Sequence, residues 1–201
     1  FLKYVACHTT SEENDWETAP IPSTERQFEL GRILEQEVAA LGLKNVVLTD
    51  HAYVYGLLPA TAGYEDRPSI GFIAHMDTSP AYSGKDIKPQ IIPSYDGGDV
   101  LLNGSGESIR VSDFPHLKGL AGRTLITTDG TTLLGADDKA GVAEILTAME
   151  ELIASGQPHG DVWVGFTPDE EIGRGTEFFD TDYFKADFAY TVDGGYEGEI
   201  S

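Results

Sequence analysis

The sequence predicts an α/β sandwich with a largely parallel central sheet, on two observations. Residues 70–74 (IGFIA), 161–166 (DVWVGF) and 188–192 (FAYTV) are short apolar stretches with the character of strands buried on both faces. They alternate with stretches in which apolar residues recur every three or four positions, as in amphipathic helices.

Taken in order, residues 1–6 suit a short helix and residues 8–15 a polar loop. Thr24 and Gln27 have the spacing of a capping box. Phe28, Leu34, Val38 and Leu41 then make the apolar stripe of a helix that stops at Gly42. Residues 46–48 and 52–58 read as strands joined by a turn at Asp50–His51, with His51 a turn residue rather than a ligand. Residues 79–120, rich in Pro and Gly, read as a long excursion with some short strands, and Gly104-Ser105-Gly106 as a loop tip. A strand is expected over 123–127, with Asp129–Gly130 as a hairpin turn after it.

The stretch 131–141 (TTLLGADDKAG) leads into a helix over 142–153, so Asp137 and Asp138 stand where a loop becomes a helix. One such acid is accounted for by N-capping, and two exceed what capping needs. The positive end of the helix dipole favours their ionised form, lowering their pKa values. Beyond the strand at 161–166, residues 176–184 are expected to be helical, and residues 188–192 form a further strand.

The 201 residues, 40% hydrophobic, suffice for one domain or a large part of one. Both ends are expected to have been cut from something longer, because the chain opens at Phe1 already in a helical pattern and closes just beyond a strand. Thirteen Lys and Arg against 34 Asp and Glu, a formal charge of −21, argue against a nucleic-acid or anionic-membrane partner. Cys7 is the only cysteine and reads as core packing, so no internal disulfide forms and a cytoplasmic setting is expected. No run is long and apolar enough to span a bilayer, and none resembles a signal segment.

The chemistry is concentrated just beyond the three apolar strands. The first delivers His75 and Asp77, the second Glu170 and Glu171, the third Asp193. Open α/β sheets bind ligands outside the carboxyl ends of their strands, so these residues are expected to converge, with Asp137 as a further contributor. Singly, each has an ordinary reading: a hydrogen-bonded His-x-Asp pair, a solvated Glu pair, an Asp-Gly-Gly turn. Together, one imidazole and several carboxylates suit zinc, or cobalt or manganese in its place. A bridging carboxylate between two ions about 3.5–4 Å apart is the arrangement by which hydrolases activate water and polarise a carbonyl. One adjacent acid must then remain off the metal as general base. The sequence has no Gly-x-Ser-x-Gly elbow and no Asp-x-Asp-x-Asp-Gly calcium loop, and His8, His116 and His159 sit in loop contexts without assigned roles.

Residues 70–80 (IGFIAHMDTSP), 127–141 (TTDGTTLLGADDKAG), 166–173 (FTPDEEIG) and 190–195 (YTVDGG) resemble the dizinc M20 metallopeptidases, and among them the tripeptide aminopeptidase branch. The likeness runs over essentially the whole chain. It implies a zinc-dependent exopeptidase-like catalytic domain, of which residues 1–201 are the amino-terminal portion. It also implies that His75 and Asp193 bind one zinc and Glu171 the other, with Asp137 bridging. Asp77 would orient His75, Glu170 would act as general base, and the Asp137–Asp138 peptide would be cis. The second zinc of such enzymes takes a further histidine from beyond an inserted lid and dimerisation domain, and no histidine follows His159 here. The resemblance therefore implies tripeptide substrates and a homodimeric parent, with little or no activity in the 201-residue chain alone. Another M20 amidohydrolase, such as a dipeptidase or N-acyl amino acid deacylase, and a non-catalytic acidic binding module are the alternatives.

Overall fold

The computed structural model describes residues 1–13, 15 and 18–195. In chain order these form α1 (Leu2–Val5), α2 (Gln27–Ala40), β1 (Lys44–Leu48), β2 (Val54–Leu58), β3 (Ile70–His75), β4 (Pro89–Ile92), β5 (Val100–Leu101), β6 (Ser108–Ile109), β7 (Leu125–Thr128), α3 (Ala136–Ser155), β8 (Val162–Thr167) and β9 (Phe188–Thr191). Five strands make the central sheet, in the order β1-β2-β8-β3-β9. Strand β2 is antiparallel to both β1 and β8, while β3 is parallel to both β8 and β9. Four of the five strands therefore run the same way, and the carboxyl ends of β8, β3 and β9 meet at one edge.

Side chains alternate across this sheet with the period of two that a pleated strand imposes. One face, with Val54, Ala74, Val162, Val164 and Phe166, packs on Leu30, Leu34 and Val38 of α2 and on Val142, Ile145 and Met149 of α3. The other face carries Tyr53, Tyr55 and Trp163, buried beneath Phe179, Tyr183 and Phe184. Burying each such aliphatic or aromatic side chain contributes roughly 1.5–3 kcal/mol. Cys7 belongs to the first core, as its apolar context predicts.

The chain over residues 79–128 leaves the sheet to form two small antiparallel ribbons, β4 with β7 and β5 with β6, around Tyr95, Val100 and Leu117. Gly42, at φ +88°, follows α2 where a left-handed residue ends a helix. Among the described residues, no helix is long and apolar enough to cross a membrane.

Four local expectations are corrected. The capping box does not form: α2 begins at Gln27, the Thr24 hydroxyl donates to the Thr10 carbonyl at 3.0 Å, and the Gln27 side chain turns inward. Asp129–Gly130 is not a hairpin turn, because β7 pairs back to β4 and the chain continues into α3. Asp129 Oδ1 instead accepts from Thr131 N at 2.9 Å, closing a bend. Residues 176–184 form successive turns, not a helix. Two of their amides go to side chains, Phe178 N to Tyr53 Oη at 3.2 Å and Asp180 N to Tyr55 Oη at 2.9 Å, which ties these turns to the sheet. Finally, among the described residues β9 lies at the edge of the sheet and is exposed, where a doubly buried strand is expected.

Candidate metal centre

The parallel register sets His75 beside Thr167, and Met76 N donates to the Thr167 carbonyl at 2.8 Å, so β3 and β8 end together. His75 is 2% exposed, its backbone N–H donating to Asp138 Oδ2 at 3.1 Å. Its Nδ1 lies 3.1 Å from the Asp77 carbonyl and 3.3 Å from Asp77 Oδ1. A proton on Nδ1 leaves the Nε2 lone pair free. Nε2 is met by Asp137 Oδ1 at 3.0 Å, Glu170 Oε2 at 3.7 Å and Asp193 Oδ2 at 3.8 Å.

Three buried features aim these acids. Asp77, fully buried, accepts Glu170 N at 3.0 Å and Glu171 N at 3.2 Å on its two oxygens, fixing the turn after β8 as well as the imidazole. Asp138 Oδ1 accepts Gly141 N at 3.2 Å, so Asp138 caps the regular part of α3 while its other oxygen holds β3. Asp137 and Asp138 have non-helical dihedrals, and the peptide between them is cis, as the resemblance implies. At Gly141 a Cβ would stand 1.9 Å from the Val192 carbonyl oxygen. Only glycine lets α3 cross the end of β9 this closely, and that crossing brings Asp193 to the site.

The electrostatics are those of a site short of positive charge. Burial lowers the His75 pKa, but the Asp77 hydrogen bond and the charges of Asp77, Asp138 and Asp193 outweigh it and push the value up to about 10. Burial, with Asp193 adding to it, raises Asp138 to about 8, so the expected lowering by the helix dipole is overridden there. Glu170 and Glu171 are also raised, first by desolvation and then by neighbouring carboxylates. The nearby Lys139 offers no relief: its ammonium donates to the Cys7 carbonyl at 2.7 Å, and burial lowers its pKa to about 8. Among the described residues, no lysine or arginine pairs with Asp137, Glu170, Glu171 or Asp193.

The residues fit a metal ion. His75, Asp137 and Glu171 offer ligand atoms within 4.8 Å of one another, as do His75, Glu170 and Asp193. The imidazole-plus-carboxylate set suits zinc-like cations. Among the described residues, His8, His51, His116 and His159 join no such group. His51 instead sits in its turn, with Nδ1 2.9 Å from the Ile21 carbonyl.

A family model described as peptidase family M20/M25/M40 matches residues 128–199. Curated relatives named peptidase T match this chain along its whole length. That of Caldanaerobacter subterraneus is 56% identical over 202 residues, covering 100% of this chain and 48% of the relative. That of Alkaliphilus oremlandii is 52% identical over 203 residues, covering 100% and 49%. Both comparisons make the chain similar to peptidases of the M20/M25/M40 family. It spans about half the length of the curated relatives it matches. The aminopeptidase PepT of Bacillus cereus has the same fold, with a TM-score of 0.66 and 26% identity over 97% of this chain and 42% of that one.

The six residues expected at the site, His75, Asp77, Asp137, Glu170, Glu171 and Asp193, come together at one sheet edge. The geometry alone allows Glu170 to approach Nε2 as a ligand as well as to stand off it as a base. Asp169, fully buried one residue before the glutamates, was not identified from sequence. Its only signal is the run of three acids, which reads equally well as solvated surface.

Proposed function

We propose that the full-length protein is a cytoplasmic, homodimeric dizinc aminopeptidase releasing the amino-terminal residue from tripeptides. In this reading residues 1–201 are a portion of its catalytic domain, and a lid and dimerisation insert and the rest of that domain lie outside them. The observation that carries it is the convergence of carboxylates from three separate segments on Nε2 of His75. The names of the relatives, peptidase T and PepT, point to peptide substrates.

His75 and Asp193 would hold one zinc and Glu171 the other, with Asp137 between them. Zinc held there would supply Lewis acidity toward the scissile carbonyl and acidify a shared water. Asp77 keeps the Nδ1 proton in place, so that Nε2 presents a lone pair. Glu170, its pKa raised by burial, takes the proton of the attacking water and returns it to the leaving amine as the C–N bond breaks. Asp137 and Glu171 balance the charge on the opposite side.

The test is a substrate panel on the full-length protein, stripped with chelator and titrated with zinc. Tripeptide cleavage should return as two equivalents of zinc bind, with cobalt or manganese substituting, and the 201-residue chain alone should show little activity. Preference for dipeptides or N-acyl amino acids would instead indicate another amidohydrolase of the family. A protein that takes up no zinc would be a non-catalytic acidic module.

A further inference from the structure

Asp169 stands between β8 and the two glutamates in the left-handed region, at φ +53°, a conformation that disfavours a residue with a Cβ by roughly 1–2 kcal/mol. Something must hold it there, and every polar atom of the residue is engaged. Ser23 N donates to Oδ2 at 2.5 Å. Ser23 Oγ and Gln27 Nε2 each donate to Oδ1 at 2.6 Å. Asp169 N donates to Gln27 Oε1 at 3.1 Å, and the Asp169 carbonyl accepts Arg174 N at 2.9 Å. Gln27 and Asp169 are fully buried. The Gln27 amide thus pairs at once with the backbone and the side chain of Asp169, from the first residue of α2, 142 positions away in sequence.

Asp77 takes the next two amides of the same turn, those of Glu170 and Glu171. Three consecutive amides are therefore fixed by side chains from other parts of the chain. A small rotation here would swing both glutamates away from His75 and Asp137. We infer that Gln27, Ser23 and Asp169 form a positioning clamp that sets the direction of Glu170 and Glu171 toward the metal centre. Asp169 and Gln27, both fully buried, would act through the two glutamates. The inference rests on the metal-centre reading.

The test uses the full-length zinc enzyme. In Asp169→Asn the new amide group meets donors on Ser23 and Gln27. Zinc affinity, measured by chelator competition, should fall about 10–100-fold, as for other partners that orient ligands. Displacing Glu170 should lower kcat by about 100-fold with KM unchanged. The double variant Gln27→Glu with Asp169→Asn inverts the polarity of the pair and should restore both. Should Asp169→Asn fail to fold, Ser23→Ala, which removes one donor, is measured the same way with a smaller loss expected. Unchanged zinc affinity and kcat in the single variant, or no recovery in the double variant, would overturn the clamp. His75→Ala serves as the control: if it too leaves zinc binding intact, the metal-centre reading fails, whereas zinc loss in His75→Ala alone sinks only the clamp.

Discussion

The carboxyl edge of the sheet and its aromatic face solve the same backbone problem with different chemistry. At the edge, the last residue of β3, the turn after β8 and the start of α3 have amides taken by the buried carboxylates of Asp77 and Asp138. On the aromatic face, the turns over residues 176–184 have two of theirs taken by the hydroxyls of Tyr53 and Tyr55. Charged acceptors accumulate negative potential around His75, and neutral ones do not. The first arrangement makes a ligand field for a cation, while the second makes a packing surface. Substitutions at the edge should therefore change metal binding and rate with little change in stability, and substitutions on the face should do the reverse.

The largest expected effect separates two neighbours at the edge. Glu170→Gln removes the base and should lower kcat about 10²–10⁴-fold while zinc stays bound. Glu171→Gln removes a ligand, so zinc affinity should fall first and activity should recover in part at high zinc. Parallel zinc titrations and steady-state kinetics of the full-length variants check this. Zinc loss in Glu170→Gln would make Glu170 a ligand, as its 3.7 Å approach to Nε2 permits.

A smaller effect is expected where the edge meets the packing. Gly141→Ala sets a methyl group against the Val192 carbonyl, an obstacle that cannot rotate away. Overpacking of this kind costs roughly 1–3 kcal/mol. Because Asp193 follows Val192, the same variant should also weaken zinc binding, which the remote core variants of α2 should not. Thermal melting with and without zinc distinguishes the two contributions.

Much of this was legible in the sequence because strand order is not needed to know that a strand ends. The apolar run 70–74 fixes where His75 emerges, 161–166 fixes Glu170 and Glu171, and a parallel arrangement makes their ends coincide. What was not legible depends on contacts distant in sequence. Nothing local tells that the Thr24 hydroxyl bonds the Thr10 carbonyl, or that Gln27 faces Asp169 rather than a helix cap. The turns over 176–184 have a helix-compatible composition, but the hydroxyls of Tyr53 and Tyr55, 125 residues from the amides they accept, take two amides that a helix would bond internally. The direction of the Asp138 shift was misread for a related reason: a dipole is a local feature, whereas desolvation depends on what packs over the group.

The smallest effect tests the neutral half of the comparison. Tyr53 and Tyr55 are fully buried, and burial, opposed by their hydrogen bonds to Phe178 N and Asp180 N, pushes each pKa up to about 12. The unfolded chain loses these protons near pH 10, so the folded state binds them more tightly. Their contribution is fully present below pH 10 and is lost as pH rises toward 12, amounting to about 2–3 kcal/mol for each tyrosine. Tyr55→Phe gives up the bond to Asp180 N, at a cost of about 1 kcal/mol near pH 7. It also deletes the ionising group, so the variant should lose less stability than the parent between pH 10 and 12. Urea unfolding of the full-length protein at neutral and alkaline pH measures both. Equal alkaline losses in parent and variant would mean that the hydroxyl on the aromatic face ionises as freely when folded as when unfolded, and the two regions would then differ in the charge of their acceptors but not in how tightly they are enclosed.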